Sequence, residues 1–480
     1  MSADSTGQET KRISLIALTA MVVGSMVGAG IFNLPGRFGI ATGPFGAIIA
    51  WCIAGSGMYM LARVFQALAQ RRPDIDAGVF AYAKAGFGDY VGFLSAFGYW
   101  LGSCLGNVFY WVLIGTTLGT FFPAFGHGNT VVAIGTSLAG IWLFHTMILR
   151  GIEQAAFINF VVTIAKLVPI LVALIAMLFA FNADLFAENF WGGVDMPDKT
   201  LVQQVRDTML ITVFVFIGIE GASVYSRYAK TRKDVGTATV LGFVAVTGLM
   251  VAVTLLPYAI APRAEIAGLR QPSLAGALEL TVGAWGSWFI SIGVLISVLG
   301  AYLAWSLICA EVMFAAAKSN DMPRLFASEN ANKVPANALW ATNTVISVFV
   351  ISTYFSADAF NFMLDMATVT SLLPYLLVAG YAVLLARSVA AYADTPDERK
   401  RDLAFAWIAV VYVLIMFVAA GAKYVLLVAV LYAPGTVLYI WSRREQNAKL
   451  FTGIELPIFI VVLVAAAIGI WGLVTGLITP

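Results

Sequence analysis

The chain is poor in charge, in histidine and in cysteine, and each shortage closes off a class of chemistry. Only 11% of its 480 residues are charged, against about 25% in soluble globular domains. Lys and Arg number 28 and Asp and Glu 26, so no nucleic-acid partner is expected. The two histidines, His127 and His145, fall near the ends of apolar runs, and no H-E-x-x-H, G-x-S-x-G or Cys/His grouping occurs. A membrane-embedded enzyme would need a nucleophile–base pair or a metal cluster. No catalytic residue, metal or cofactor is therefore expected. The three cysteines, Cys52, Cys104 and Cys309, lie inside apolar runs at spacings that do not suit a metal, and read as small packing residues. A signalling domain and a selectivity-filter repeat are missing as well, which argues against a sensor or a channel.

What is abundant is hydrocarbon. Apolar residues make up 60% of the chain and mean hydropathy is +0.88. They fall in blocks of about 20 residues, the length that crosses a bilayer core as a helix. Barrel strands would alternate apolar and polar residues instead. The reading is an all-α polytopic membrane protein with about thirteen spans. MSADSTGQETKR is polar and the apolar run after it lacks an A-x-A-like site, so the first helix is expected to be retained.

Lys and Arg collect in alternate connections, among them Lys11-Arg12, Arg71-Arg72, Arg150, Arg387 and Arg443-Arg444. That bias places those connections and the N-terminus in the cytoplasm. The 182–199 connection carries Asp184, Glu188, Asp195 and Asp198 and faces outward; an odd span count also puts the C-terminus outside. The expected organisation is a tail at 1–12, a ten-helix core at 13–390, a hydrophilic loop at 391–402 and extra helices over 403–480.

The core holds two Gly-interrupted membrane segments, GSMVGAGIFNLP (24–35) and FIGIEGAS (216–223), separated by about five spans. Five helices per repeat inverts the second copy, giving repeats at 13–182 and 203–390. Paired Gly-broken helices mark the binding site of a secondary transporter. Broken backbone at membrane depth must line a cavity or be buried in protein. The N–H groups opening a second half-helix suit a carboxylate, and the carbonyls closing a first half-helix suit an ammonium. An α-amino acid carries both. The competing reading of Gly24-x-x-x-Gly28 is close helix packing.

These segments resemble the amino acid–polyamine–organocation transporters. GSMVGAGIFNLP is similar to the family's first-helix signature, PDIDAGVFAYAKAGFGDYVGFLSAFGYWL (73–101) to its first cytoplasmic loop and third helix, and LAWSLICAEVMFAAAKSNDMPRLF (303–326) to its eighth helix. Within the family the chain looks most like the bacterial basic amino acid/polyamine antiporter branch and its arginine–ornithine exchangers. The resemblance implies a five-plus-five inverted-repeat (LeuT-like) core with discontinuous first and sixth helices. By the same resemblance Gly28, Ala29 and Gly30 hold the substrate carboxylate, and carbonyls of Met26, Phe214 and Ile217 the α-ammonium. Asn107, Tyr110 and Trp305 face the side chain, and Tyr99, Glu220 and Tyr375 form an inner gate. Lys166 stands where relatives hold a coupling sodium ion; the alternative is a lysine snorkelling to the interface. Near Ala367 the family's substrate-facing serine is missing.

The implied function is exchange of a cationic amino acid for a related diamino acid or amine in the bacterial cytoplasmic membrane, arginine against ornithine first among the pairs. Alternatives are a proton-coupled lysine or histidine symporter, or a lysine/cadaverine or histidine/histamine exchanger. Small cationic amino acids and the lipid bilayer are the expected partners, and a homodimer stays open.

Overall fold

A computed structural model describes residues 15–75, 79–151, 155–192, 199–219, 232–356 and 358–478, and all regular structure among them is helical. The first half runs α1 (Leu15–Met26), α2 (Leu34–Ala41), α3 (Pro44–Arg71), α4 (Val79–Phe87), α5 (Asp89–Phe121), α6 (Val131–Leu149), α7 (Ala155–Phe179), α8 (Ala183–Asn189) and α9 (Leu201–Phe214). The second runs α10 (Arg232–Leu255), α11 (Arg263–Ala267), α12 (Ser273–Val282), α13 (Ala284–Lys318), α14 (Ala336–Ser352), α15 (Ala359–Arg387), α16 (Pro396–Glu445) and α17 (Glu455–Val474). Ten of the described helices are long and apolar enough to cross a membrane. Helices α1 and α9 are not among the ten; they stop early, at Met26 and Phe214, at the Gly-rich segments.

Local chemistry sets the helix ends. Thr200 and Gln203 form a capping box on α9, and the Thr130 hydroxyl accepts from the Ala133 N–H to open α6; each supplies a partner for an otherwise orphaned amide. Helix α16 spans 50 residues but is divided at Gly421, whose φ of 76° no α-helix tolerates. The bend frees backbone carbonyls, and Arg206 of α9 donates Nε to one of them, that of Ala419, at 3.3 Å.

One expectation needs correcting here. The 391–402 segment is not loop throughout, because α16 already starts at Pro396. Proline in the first turn, followed by Asp397 and Glu398, suits a helix N-terminus sterically and electrostatically. Arg71 anchors this turn: its guanidinium lies 3.7 Å over the Tyr392 ring and pairs with Glu398 and Asp402.

Two groups of helices face one another. Helices α1, α2, α3, α9 and α10 pack together on one side, and α5, α6, α13 and α14 on the other; α15 and α16 touch both groups. Within the apolar stretch of α5, 89% is buried, against 17% for α17. Thus α5 is the central post and α17 is mostly lipid-facing. At the cation-rich end, α17 reaches back through Glu455, which is 2% exposed and accepts the Tyr90 N–H at 2.8 Å. It thereby caps α5 from another helix. Beside it Lys84 pairs with Asp321 at 2.7 Å and Arg443 with Asp89 at 2.9 Å.

Candidate functional site

The first break begins where α1 makes its last bond, Val27 N–H to the Val23 carbonyl. Gly28 is then fully extended, with φ −97° and ψ −171°, and a short 3-10 turn restarts the chain over Ala29–Asn33. Opening a new helical turn leaves its first N–H groups without intrahelical partners. In the second break, α9 relaxes after Phe214 into single-turn bonds, Ile217 N–H to the Phe214 carbonyl among them, and Gly218 takes a φ of 105°. Only glycine adopts that backbone at little cost. The two breaks touch: a Cβ on Gly30 would lie 2.8 Å from Val215 Cγ1 and 2.9 Å from Phe214 Cδ1.

A cavity of about 540 Å³, open mouth included, lies at this junction. Met26, Gly28, Ala29 and Gly30 line it from the first break and Phe214, Val215 and Ile217 from the second. Helix α5 contributes Gly102, Ser103, Gly106 and Tyr110, α13 contributes Trp305, and α15 contributes Ala367 and Ser371. Among the described residues no carboxylate lines the wall. A bound cation would therefore be met by π faces, hydroxyls and backbone dipoles.

Most of the residues singled out from the sequence meet on this wall, namely Met26, Gly28, Ala29, Gly30, Tyr110, Phe214, Ile217 and Trp305. Asn107 does not. It is wholly buried and turned to α13, where Nδ2 donates to Cys309 Sγ at 3.4 Å. Tyr99 and Tyr375 are buried outside the wall, Tyr375 edge-on to Phe65. Glu220 lies outside the described residues. Lys166 reaches the first broken helix, Nζ donating to the Gly24 carbonyl at 2.6 Å. Ser103 and Ser371 were passed over in the sequence. Their signal was available as helical spacing: Ser371 lies one turn from Ala367 and one from Tyr375.

Asp365 of α15 is 6% exposed. It accepts from Arg37 at 2.7 Å and from the Tyr424 hydroxyl at 2.9 Å, tying α2 to α15 and α16. Beside it Phe109 packs on Phe214 and Phe360, each at 4.9 Å between ring centres. Phe214 belongs to the cavity wall and Asp365 lies two residues before Ala367, which also lines it, so the ion pair and the aromatic cluster adjoin the cavity.

A family model described as an amino acid permease matches residues 13–423. The chain belongs to the amino acid permease family. The permease is 48% identical over 478 residues to an arginine/ornithine antiporter of Pseudomonas aeruginosa, covering 98% of this chain and 99% of that protein. It is 39% identical to an L-lysine transport protein of Corynebacterium glutamicum, over 99% and 98% of the two chains. An arginine/agmatine antiporter of Chlamydia abortus is 38% identical to the permease over 92% of each. The resemblance to the amino acid–polyamine–organocation transporters and their basic amino acid antiporters therefore extends along nearly the whole chain.

Proposed function

We propose that this permease exchanges a cationic amino acid for a related diamino acid or amine, arginine against ornithine being the first pair. The observation that carries the reading is the meeting of two broken helices at a cavity without a described carboxylate, faced by Trp305 and Tyr110. The amides opening the Ala29–Asn33 turn hold the α-carboxylate, and carbonyls of Met26, Phe214 and Ile217 take the α-ammonium. The side-chain cation lies against the Trp305 ring, an interaction worth about 0.5–2 kcal/mol. Lys166 fills the place of a coupling cation by holding the Gly24 carbonyl, and Tyr99, Glu220 and Tyr375 close the cytoplasmic path. Exchange of equally charged partners needs no ion gradient and no catalytic group. The names of the relatives support the substrate class.

Alternating access follows from rocking of the α1–α3, α9 and α10 group against the α5, α6, α13 and α14 group, with Arg37–Asp365 parting when the outer side opens. The broken segments count as one crossing each and α16 as two, which gives about thirteen spans. The first ten form two inverted repeats in the cytoplasmic membrane, with the N-terminus inside. Counterflow tests the reading. Labelled arginine should enter liposomes loaded with ornithine and should not enter empty ones. Equal entry into empty liposomes driven by a proton gradient overturns exchange in favour of symport.

A further inference from the structure

A chain of buried polar side chains crosses three helices beside Trp305 and takes no part in the cavity wall. His145 of α6 is 1% exposed, and Asn343 of α14 and Tyr302 of α13 are wholly enclosed. Asn343 Nδ2 stands 3.0 Å from His145 Nδ1, and Asn343 Oδ1 accepts from the Tyr302 hydroxyl at 3.3 Å. Tyr302 lies three residues before Trp305 on α13, and its ring is held edge-on by Trp111 of α5 and Phe144 of α6. The imidazole packs against Trp340 of α14 and Trp142, at 4.3 and 5.0 Å between ring centres.

With the Asn343 amide placed nitrogen toward the ring, the bond directions select one tautomer. An amide nitrogen only donates, so His145 Nδ1 is the acceptor and the ring proton sits on Nε2, which has no partner. That is the neutral imidazole. A proton added at Nδ1 sets two donors against each other. Relief requires the Asn343 amide to turn over, presenting oxygen to His145 and nitrogen to Tyr302. The Tyr302 hydroxyl must then accept and direct its own proton elsewhere. Ser306, one turn along α13, carries a buried hydroxyl that interacts with that of Tyr302.

The neighbouring elements bring few other titratable groups to the ring. From α14 come Trp340 and Asn343, from α5 Trp111, and from α13 only the Tyr302 hydroxyl, reached through Asn343. Arg150, Glu329 and Lys333, at the same end of the bundle, are exposed, and among the described residues none forms an ion pair or hydrogen bond with the imidazole.

We propose that His145 is a positioning residue: through Asn343 and Tyr302 it fixes the rotation of α13 that presents Trp305 to the cavity, and its protonation loosens that hold. Substrate affinity then falls as the cation-rich side acidifies. The proposal rests on the cavity being the transport site, so its test carries one measurement that needs no substrate.

The full-length protein in liposomes is assayed for arginine KM and Vmax between about pH 5.5 and 8, the range in which histidine titrates. In parallel, acrylamide quenching is followed for the fluorescence that Trp305→Phe removes. Wild type should show KM rising about tenfold at acid pH with Vmax largely kept, the size of one lost buried hydrogen bond. His145→Leu should have the raised KM at every pH. His145→Gln, whose side-chain oxygen can accept from Asn343, should keep the neutral KM and lose the pH dependence. A wild-type pH profile in His145→Gln overturns the proposal, and this comparison decides even where His145→Leu does not fold. Trp305 quenching that ignores both pH and His145 also overturns it. Quenching that follows pH and His145 in a protein that takes up no arginine sustains the relay and overturns the transport reading instead.

Discussion

Gly28 and Gly30 lie two residues apart in one motif, yet alanine at each should fail for a different reason. A methyl on Gly28 meets nothing within 4 Å, and its φ of −97° suits any L-residue. Gly28 lines the cavity, so that methyl enters the space of the substrate carboxylate. Displacing one charge-assisted hydrogen bond costs about 1.5–3 kcal/mol, which is about 10- to 150-fold in affinity. Stability should hold or rise slightly, because alanine restricts the unfolded chain. At Gly30 the methyl would lie 2.8 Å from Val215 Cγ1 and 2.9 Å from Phe214 Cδ1. The two breaks must then move apart, an overpacking cost of about 1–3 kcal/mol. The pair is assayed by arginine counterflow and by thermal unfolding followed with size-exclusion chromatography. Gly28→Ala should raise KM with an unchanged melting temperature, whereas Gly30→Ala should lower the melting temperature. A wild-type KM in Gly28→Ala, or equal destabilisation by both, refutes the division of labour.

Three further outcomes follow from the geometry. Removing either Arg37 or Asp365 alone strands a buried charge and should destabilise by about 3–5 kcal/mol, while the double replacement Arg37→Met with Asp365→Leu recovers most of that loss in thermal unfolding. Asp321, beyond the end of α13, is pushed up to about 6 by burial, which outweighs the attraction of Lys84. A carboxyl that binds its proton more tightly folded than unfolded stabilises most below about pH 4, and this contribution is lost as pH rises through about 6. Asp321→Asn should therefore show a flatter melting profile across that window; parallel profiles would sink the assignment. Lys166→Met frees the Gly24 carbonyl and should abolish exchange while leaving a folded protein, and wild-type transport should be indifferent to replacing sodium by choline. A strict sodium requirement contradicts the role given to Lys166.

Much of the site was legible because membrane backbone has few options. Glycines clustered in an apolar run, at two places five spans apart, announce helix breaks, and α1 and α9 end there. Trp305 and Tyr110 were reached through the family resemblance rather than through spacing. Asn107 shows where that route stops. It follows Gly106, which lines the cavity, yet one residue along a helix turns a side chain by about 100°, and Asn107 faces α13 instead. The loop expected at 391–402 was misjudged for a related reason, since charge alone does not separate a loop from the polar first turns of a long helix.

The sequence by itself determined the solvent, the helical class, the two breaks and the family, because each depends on local composition or on short contiguous motifs. Lipid admits only backbones that satisfy their own hydrogen bonds. Tertiary structure alone decided which side chains meet. Arg37 pairs with Asp365 across 328 residues, His145 reaches Asn343 across 198, and Glu455 of α17 caps α5 across 365. Such partners are chosen by the rotation and crossing of packed helices. That choice depends on the fit of all neighbouring side chains together rather than on any one stretch of the chain.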